Sequence, residues 1–288
     1  MRKSHLVLGI AVAALLVLGG LTMSDPVAAL NVAAYVDAAD VEHDIAYGSG
    51  ARNRLDVYRP HDANGKSPVV VFFYGGNWVS GNRTMYNFVG RALAARGIVT
   101  IIPDYRLYPA VSYPSFLDDC AKALAWSMRH AAEYGGNPQR LFVMGHSAGA
   151  YNAAMLALDG QYLAREGLSN TAIRGLIGIA GPYEFLPVTN ATTRPVFHYP
   201  NTPLESQPVH HVSKASLPAL LMAPANDLLV NPKRNSGGLA RTLRAAGVAA
   251  TDEYFDGVDH TTIVASLGAP LHALAPTLAH VEQFIQSH

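Results

Sequence analysis

The stretch Arg140-Leu141-Phe142-Val143-Met144-Gly145-His146-Ser147-Ala148-Gly149 decides the fold. Its first five residues read as a buried strand, and Ala148–Leu158, rich in alanine, reads as a helix. Between them, Gly145-His146-Ser147-Ala148-Gly149 matches G-x-S-x-G. Strand, sharp turn and helix form the setting in which this pattern lifts a serine hydroxyl above the end of a sheet. There it meets a helix N-terminus, where negative charge is stabilised. The glycines leave room for the neighbouring strand and helix around a strained serine backbone. The competing reading is a plain strand-to-helix turn capped by Ser147. The flanking patterns favour a nucleophile.

Outward from this point, short β-rich runs alternate with helical ones. Strands are expected at Glu42–Tyr47, Arg54–Arg59, Val69–Tyr74, Ile98–Pro103, Arg140–Gly145, Gly175–Ala180, Ala219–Ala223 and Asp252–Phe255. Continuous runs such as Val69-Val70-Val71-Phe72-Phe73 belong to strands covered on both faces, hence a mostly parallel sheet of about eight strands flanked by helices. Helices are expected at Met85–Arg96, Ser115–Tyr134, Ala148–Leu158, Ser236–Ala246 and Leu271–Gln286. In the second of these, Phe116, Cys120, Leu124 and Met128 recur at steps of four. The alternation argues for one doubly wound α/β domain, opened by an antiparallel hairpin at Glu42–Arg59. Residues 181–216, with six prolines and little periodicity, break the pattern and read as a lid or pocket excursion.

A serine nucleophile needs donors for the developing oxyanion, a histidine base and a carboxylate to orient it. The run Gly75-Gly76-Asn77-Trp78, directly after Val69–Tyr74, supplies a glycine pair at a buried strand end. The expected donors are the backbone N–H groups of Gly76, Asn77 and Ala148. Read alone, that run is a glycine turn with Trp78 as a core plug. In doubly wound hydrolases the order is serine, acid, histidine, each after a strand. Asp227 follows Ala219–Ala223 and His260 follows Asp252–Phe255, which makes them the candidate acid and base. Asp256 and Asp259 share the loop of His260 and are weaker candidates. His272, His280 and His288 lie on or after the last helix, and His210 and His211 fall in the excursion, where they are candidates to line a pocket.

Composition narrows the rest. Of 288 residues, 50% are hydrophobic and 15% charged, and 21 basic residues cancel 21 acidic ones. This excludes a disordered chain and argues against nucleic acid as a partner. The single Cys120 excludes an intrachain disulfide framework and reads as a small buried hydrophobe. The twelve histidines show no metal spacing, and no metal or organic cofactor is implied. Residues 1–29 read as a targeting segment: a basic start at Arg2, Lys3 and His5, an apolar stretch from Leu6, and small residues at Val27-Ala28-Ala29. The expectation is export with cleavage near Ala29–Leu30, leaving a single domain at 30–288. The alternatives are an uncleaved anchor over residues 6–23 and a buried helix of the fold. Export and an anchor each place the domain outside the cytoplasm, periplasmic or secreted.

Together these residues resemble the α/β-hydrolase superfamily, and within it the carboxylesterases related to hormone-sensitive lipase and kynurenine formamidase. The matching stretches are Tyr74-Gly75-Gly76-Asn77-Trp78, Pro103-Asp104-Tyr105-Arg106-Leu107-Tyr108-Pro109, Gly135-Gly136-Asn137-Pro138, Gly145-His146-Ser147-Ala148-Gly149, Asn226-Asp227 and Asp259-His260. The resemblance implies the α/β-hydrolase fold, ester cleavage through an acyl-enzyme on Ser147, and structural roles for Asp104 and Arg106. The chain departs from the family at Tyr74, where the pattern begins with a histidine that holds the oxyanion loop; the tyrosine hydroxyl is expected to do so by another hydrogen bond. Tyr74 and Trp78 are expected to crowd the pocket and favour a short acyl group on a small-molecule ester. An arylformamidase, a lipase or a peptidase would use the same triad. A catalytically silent binding module on this fold, or a membrane-anchored structural protein, is the reading from outside enzymology.

Overall fold

Val69, Val70, Val71, Phe72 and Phe73 are fully buried, the sealing on both faces that their unbroken apolar run predicts. They sit centrally in the sheet of a computed structural model that describes residues 26–288. The basic start and apolar run of the expected export signal lie outside the described residues. Among the described residues, eight strands form one sheet: β1 (Asp40–Ala46), β2 (Arg54–Arg59), β3 (Ser67–Phe73), β4 (Val99–Pro103), β5 (Gly136–His146), β6 (Ile173–Ile179), β7 (Ala219–Pro224) and β8 (Ala250–Phe255). Their order is β1-β2-β4-β3-β5-β6-β7-β8. β1 pairs with β2, and β2 with β4, antiparallel. The remaining pairings are parallel. The chain leaves β3 for β4 on one side and returns to β5 on the other, so the crevice over β3 and β5 is the switch point where open α/β sheets bind ligands.

The helices are α1 (Pro26–Ala33), α2 (Asn87–Ala94), α3 (Ser115–His130), α4 (Ala148–Leu158), α5 (Gln161–Arg165), α6 (Ser236–Ala245), α7 (Thr262–Ala265) and α8 (Thr277–Ser287). α2 starts later than its periodicity predicts, because Asn82 Oδ1 accepts from Thr84 N and Met85 N and winds Arg83–Tyr86 into a 3-10 turn first. The last helix begins at Thr277 rather than Leu271, since Pro276 disfavours helical backbone at the residue before it.

The described residues begin with α1. Ala29 and Leu30, the residues flanking the expected cleavage point, lie inside α1 and are buried. Next to them, Asn31 Oδ1 accepts from Phe88 N at 3.0 Å and its Nδ2 donates to Thr84 O at 3.1 Å. Asn31 thus ties the end of α1 to a segment more than fifty residues away. No described helix is long and apolar enough to cross a membrane.

Candidate active site

Ser147 stands between β5 and α4 with φ 54° and ψ −122°. A residue other than glycine at that φ stores backbone strain, and the surroundings impose it. Ser147 N donates to Ile179 O on neighbouring β6 at 2.9 Å. A Cβ on Gly149 would stand 1.9 Å from Phe73 O, and one on Gly145 would stand 2.3 Å from Gly149 C. No other residue fits at either place, which is why the turn requires its two glycines.

The ends of β7 and β8 deliver the other two groups. His260 Nδ1 lies 2.7 Å from Asp227 Oδ2, and a carboxylate only accepts, so the ring carries its proton on Nδ1. His260 Nε2 is then free to accept from Ser147 Oγ, 2.8 Å away. Asp227 Oδ1 accepts from Leu229 N at 2.8 Å and Val230 N at 3.1 Å. Burial raises the pKa of this carboxyl, but the hydrogen bond and charge of His260, aided by those two amides, outweigh burial and hold it below its ordinary value. Asp227 is thus an anion locked on three donors.

The weaker sequence candidates sit elsewhere. Asp259 Oδ1 accepts from Thr261 N and Thr262 N, within its own loop ahead of α7. Asp256 is exposed. His211 donates to Glu205 O, and neither it nor His210 lines the cavity at Ser147.

That cavity has a volume of about 90 Å³. Asn77, Trp78 and Ala148 line one part, Leu229 and Val230 another, and residues 181–216 contribute Pro182, Phe185, Val188, Thr189, Asn190 and Thr193. The proline-rich excursion is therefore a wall of the site. Its regular pieces among the described residues are two 3-10 turns, Leu204–Ser206 and Pro208–His211. Buried side chains from outside its first turn fix it: Asn235 Oδ1 accepts from Tyr183 N and Glu184 N, and Gln207 Oε1 accepts from Phe185 N.

Asn77 and Trp78 have φ of 53° and 60°, and Gly76 O accepts from Val79 N and Ser80 N. This tight turn carries Asn77 to the mouth, while Gly76 behind it is not among the lining residues. Trp78 lines the cavity as expected and is anchored by Nε1 donating to Asn152 Oδ1 at 2.9 Å. Tyr74 corrects the sequence reading. It is fully buried, stacked on Tyr105 at 4.7 Å between centroids, and absent from the cavity wall. Its hydroxyl turns away to accept from Arg52 at 2.6 Å, and Arg52 also donates to Gly81 O beyond the oxyanion turn. Tyr74 is a strut beneath the loop.

Asp104 and Arg106 take no part in the cavity. Arg83 donates to Asp104, Asp56 and Asp44, and Arg106 makes a two-pronged bond to Asp119. His146, the first variable residue of the G-x-S-x-G run, was not singled out by sequence reasoning, yet its Nε2 donates to His260 O at 2.8 Å. No local signal in the sequence points to a bond spanning 114 residues.

Comparison with known proteins agrees with this architecture. The BD-FAE family model matches residues 55–243. A probable carboxylic ester hydrolase of Mycobacterium tuberculosis, LipM, is 30% identical over 246 residues, covering 78% of this chain and 57% of that protein. A probable isoprenylcysteine alpha-carbonyl methylesterase of Arabidopsis thaliana, ICMEL1, is 29% identical, covering 77% and 51%. This chain spans about half the length of the curated relatives it matches. Among solved structures, the propionate-bound esterase Est2 of Thermogutta terrifontis superposes with a TM-score of 0.71 at 23% identity, over 86% of this chain and 94% of that one. That likeness is one of fold: the α/β-hydrolase sheet and its helices.

Proposed function

The chain belongs to the BD-FAE family and has the α/β-hydrolase fold, and from that premise we propose that it is a serine hydrolase of carboxylic esters. The observation that carries the reading is the unbroken line Ser147 Oγ, His260 Nε2, His260 Nδ1, Asp227 Oδ2, with steps of 2.8 and 2.7 Å, opening on a cavity. His260 takes the Ser147 proton as Oγ attacks the ester carbonyl. Asp227, ionised, stabilises the imidazolium that forms. The carbonyl oxygen, now negative, is met by the backbone N–H groups of Asn77 and Ala148, with Gly76 behind them. His260 returns the proton to the departing alcohol, and the acyl group stays on Ser147. Water then repeats the sequence: His260 deprotonates it, the acid leaves, and Ser147 regains its proton.

A short acyl group fits this site. The cavity, about 90 Å³, is far below the roughly 300–1,000 Å³ of sites for drug-sized ligands. Leu229, which lines the cavity, is 73% exposed and Leu228 before it 97%, an apolar lip beside the acid that suits a hydrophobic alcohol. The curated relatives named as ester hydrolases support the same chemistry. The basic and apolar start of the sequence supports export. The packing of Ala29 and Leu30 inside α1 favours a tether, or a cut upstream of Pro26, over cleavage between those two residues.

A serine-directed fluorophosphonate tests the reading without knowledge of the natural substrate. It is expected to label Ser147, found by peptide mass mapping, and to extinguish hydrolysis in step with labelling. Ester hydrolysis that persists in fully labelled protein overturns the assignment.

A further inference from the structure

Two polar side chains, half-buried Tyr86 and buried His146, connect the oxyanion turn to the loop that carries the base. Gly75 N–H points at Tyr86 Oη, 3.4 Å away. Tyr86 Oη lies 3.3 Å from His146 Nδ1, and His146 Nε2 lies 2.8 Å from His260 O. The carbonyl only accepts, so His146 carries its proton on Nε2, and Nδ1 must accept from the tyrosine hydroxyl. The donors therefore run in one consistent direction on each side of the ring. The fit is tight: a Cβ on Gly75 would lie 3.1 Å from His146 Nδ1 and 3.0 Å from Ser147 Cβ. His146 is 5% exposed, its ring 5.1 Å from that of His260.

From this geometry we infer that His146 is a positioning residue for the proposed reaction: a neutral imidazole that fixes the His260 loop to the oxyanion turn, so that base and oxyanion donors keep one spacing through the catalytic cycle. It touches neither substrate nor reacting atoms. Its backbone is the one directly before the nucleophile, so all three parts of the site meet at a single ring. Burial, and after it the neighbouring His260 ring, hold its pKa down at about 3, which keeps the ring in the doubly bonded neutral form. His260 itself must gain and lose a proton in each half-reaction, and a fixed backbone carbonyl keeps its ring from swinging as it does.

The inference rests on the reading of Ser147 and His260 as nucleophile and base, and its test separates the two. Three full-chain variants are compared with wild type: His146→Leu, which removes both bonds; His146→Gln, whose amide nitrogen can replace Nε2; and Tyr86→Phe, which cuts only the link to the oxyanion turn. With p-nitrophenyl acetate, His146→Leu is expected to lower kcat by about 10- to 100-fold with KM within about twofold, the mark of misplaced groups rather than lost binding. His146→Gln is expected to recover most of that loss, and Tyr86→Phe to lower kcat several-fold at unchanged KM. Equal kcat in the Leu and Gln variants, whether both fall or both hold, overturns the bridge. So does wild-type kcat in Tyr86→Phe, the variant that decides if His146→Leu does not fold. The NMR resonance of the His260 Nδ1 proton provides a readout independent of turnover. It is expected to shift or broaden in His146→Leu and to return in His146→Gln. An unchanged resonance in the Leu variant counts against the bridge. A wild type that hydrolyses no ester and takes no fluorophosphonate sinks the esterase reading instead, and leaves the bridge to be decided by that resonance.

Discussion

His260 Nδ1 and Asp227 Oδ2, 33 residues apart in sequence and on loops after adjacent parallel strands, meet at 2.7 Å. The second oxygen of Asp227 is taken by the amides of Leu229 and Val230. The carboxylate is therefore fixed before it fixes the imidazole. Asp227→Asn keeps the shape but offers an amide that can donate to Nδ1, leaving His260 in the wrong tautomer. We expect kcat on a short ester to fall by about 10³- to 10⁴-fold with little change in unfolding temperature. A loss under tenfold would show that Asp227 does not orient the base.

Cavity size sets the acyl preference. Phe185 lines the cavity and stacks on Trp78 at 6.3 Å between centroids. Phe185→Ala should lengthen the acyl chain of the best substrate by several carbons. Competition of kcat/KM values across a homologous ester series checks this, and an unchanged optimum would place the acyl group elsewhere.

Leu229 lines the cavity, and both it and Leu228 expose their apolar side chains and pack little against the body of the fold. Leu228→Ser with Leu229→Ser should leave unfolding within about 0.5 kcal/mol of wild type. It should also raise KM for acetate esters of long alcohols while sparing methyl acetate. Equal effects on both substrates would remove the lip from recognition.

His146 also imposes a pH dependence on stability. Its pKa is lowered to about 3 in the folded protein from an ordinary 6.5. Below 6.5 the unfolded chain binds a proton at this ring that the folded protein does not, so stability falls with pH until the folded pKa is reached. Going from about pH 7.5 to about pH 5 removes about 2 kcal/mol through this ring alone. Urea unfolding at the two pH values should show His146→Gln losing less than wild type by that amount. Equal losses would mean the ring is not buried neutral.

Arg83 joins Asp44, Asp56 and Asp104, tying the hairpin and the loop after β4 to the segment ahead of α2. Asp56 and Asp104 are buried at this junction. Arg83→Met leaves both carboxylates without their main cation, and should cost about 3–5 kcal/mol, read as a lower unfolding midpoint. A change below 1 kcal/mol would mean water replaces the arginine, on the scale of an exposed pair.

Much of this architecture was legible because it is written locally. Apolar runs such as Val69–Phe73 can only be strands covered on both sides, and the parallel order then brings every loop after a strand to one edge. Ser147, Asp227 and His260 could be named because each follows a strand whose neighbours are such runs. What was not legible depends on partners distant in sequence. Tyr74 reads as a pocket residue by position alone, and only the approach of Arg52 and Tyr105 shows its ring lying beneath the turn. The docking of α1 was not legible either: Asn31 bonds to Thr84 and Phe88, more than fifty residues on. The excursion at 181–216 has no periodicity to read, since its conformation is set by Asn235 and Gln207 rather than by its own pattern.

The proposed chemistry stands or falls on Ser147 as the nucleophile. The most direct test is steady-state hydrolysis of p-nitrophenyl esters from acetate to palmitate by the full chain, with Ser147→Ala measured beside it at matched folding. Turnover is expected to be fastest on the short esters and to fall by at least about 10³-fold in the variant. Equal rates for the two proteins at every chain length would contradict it.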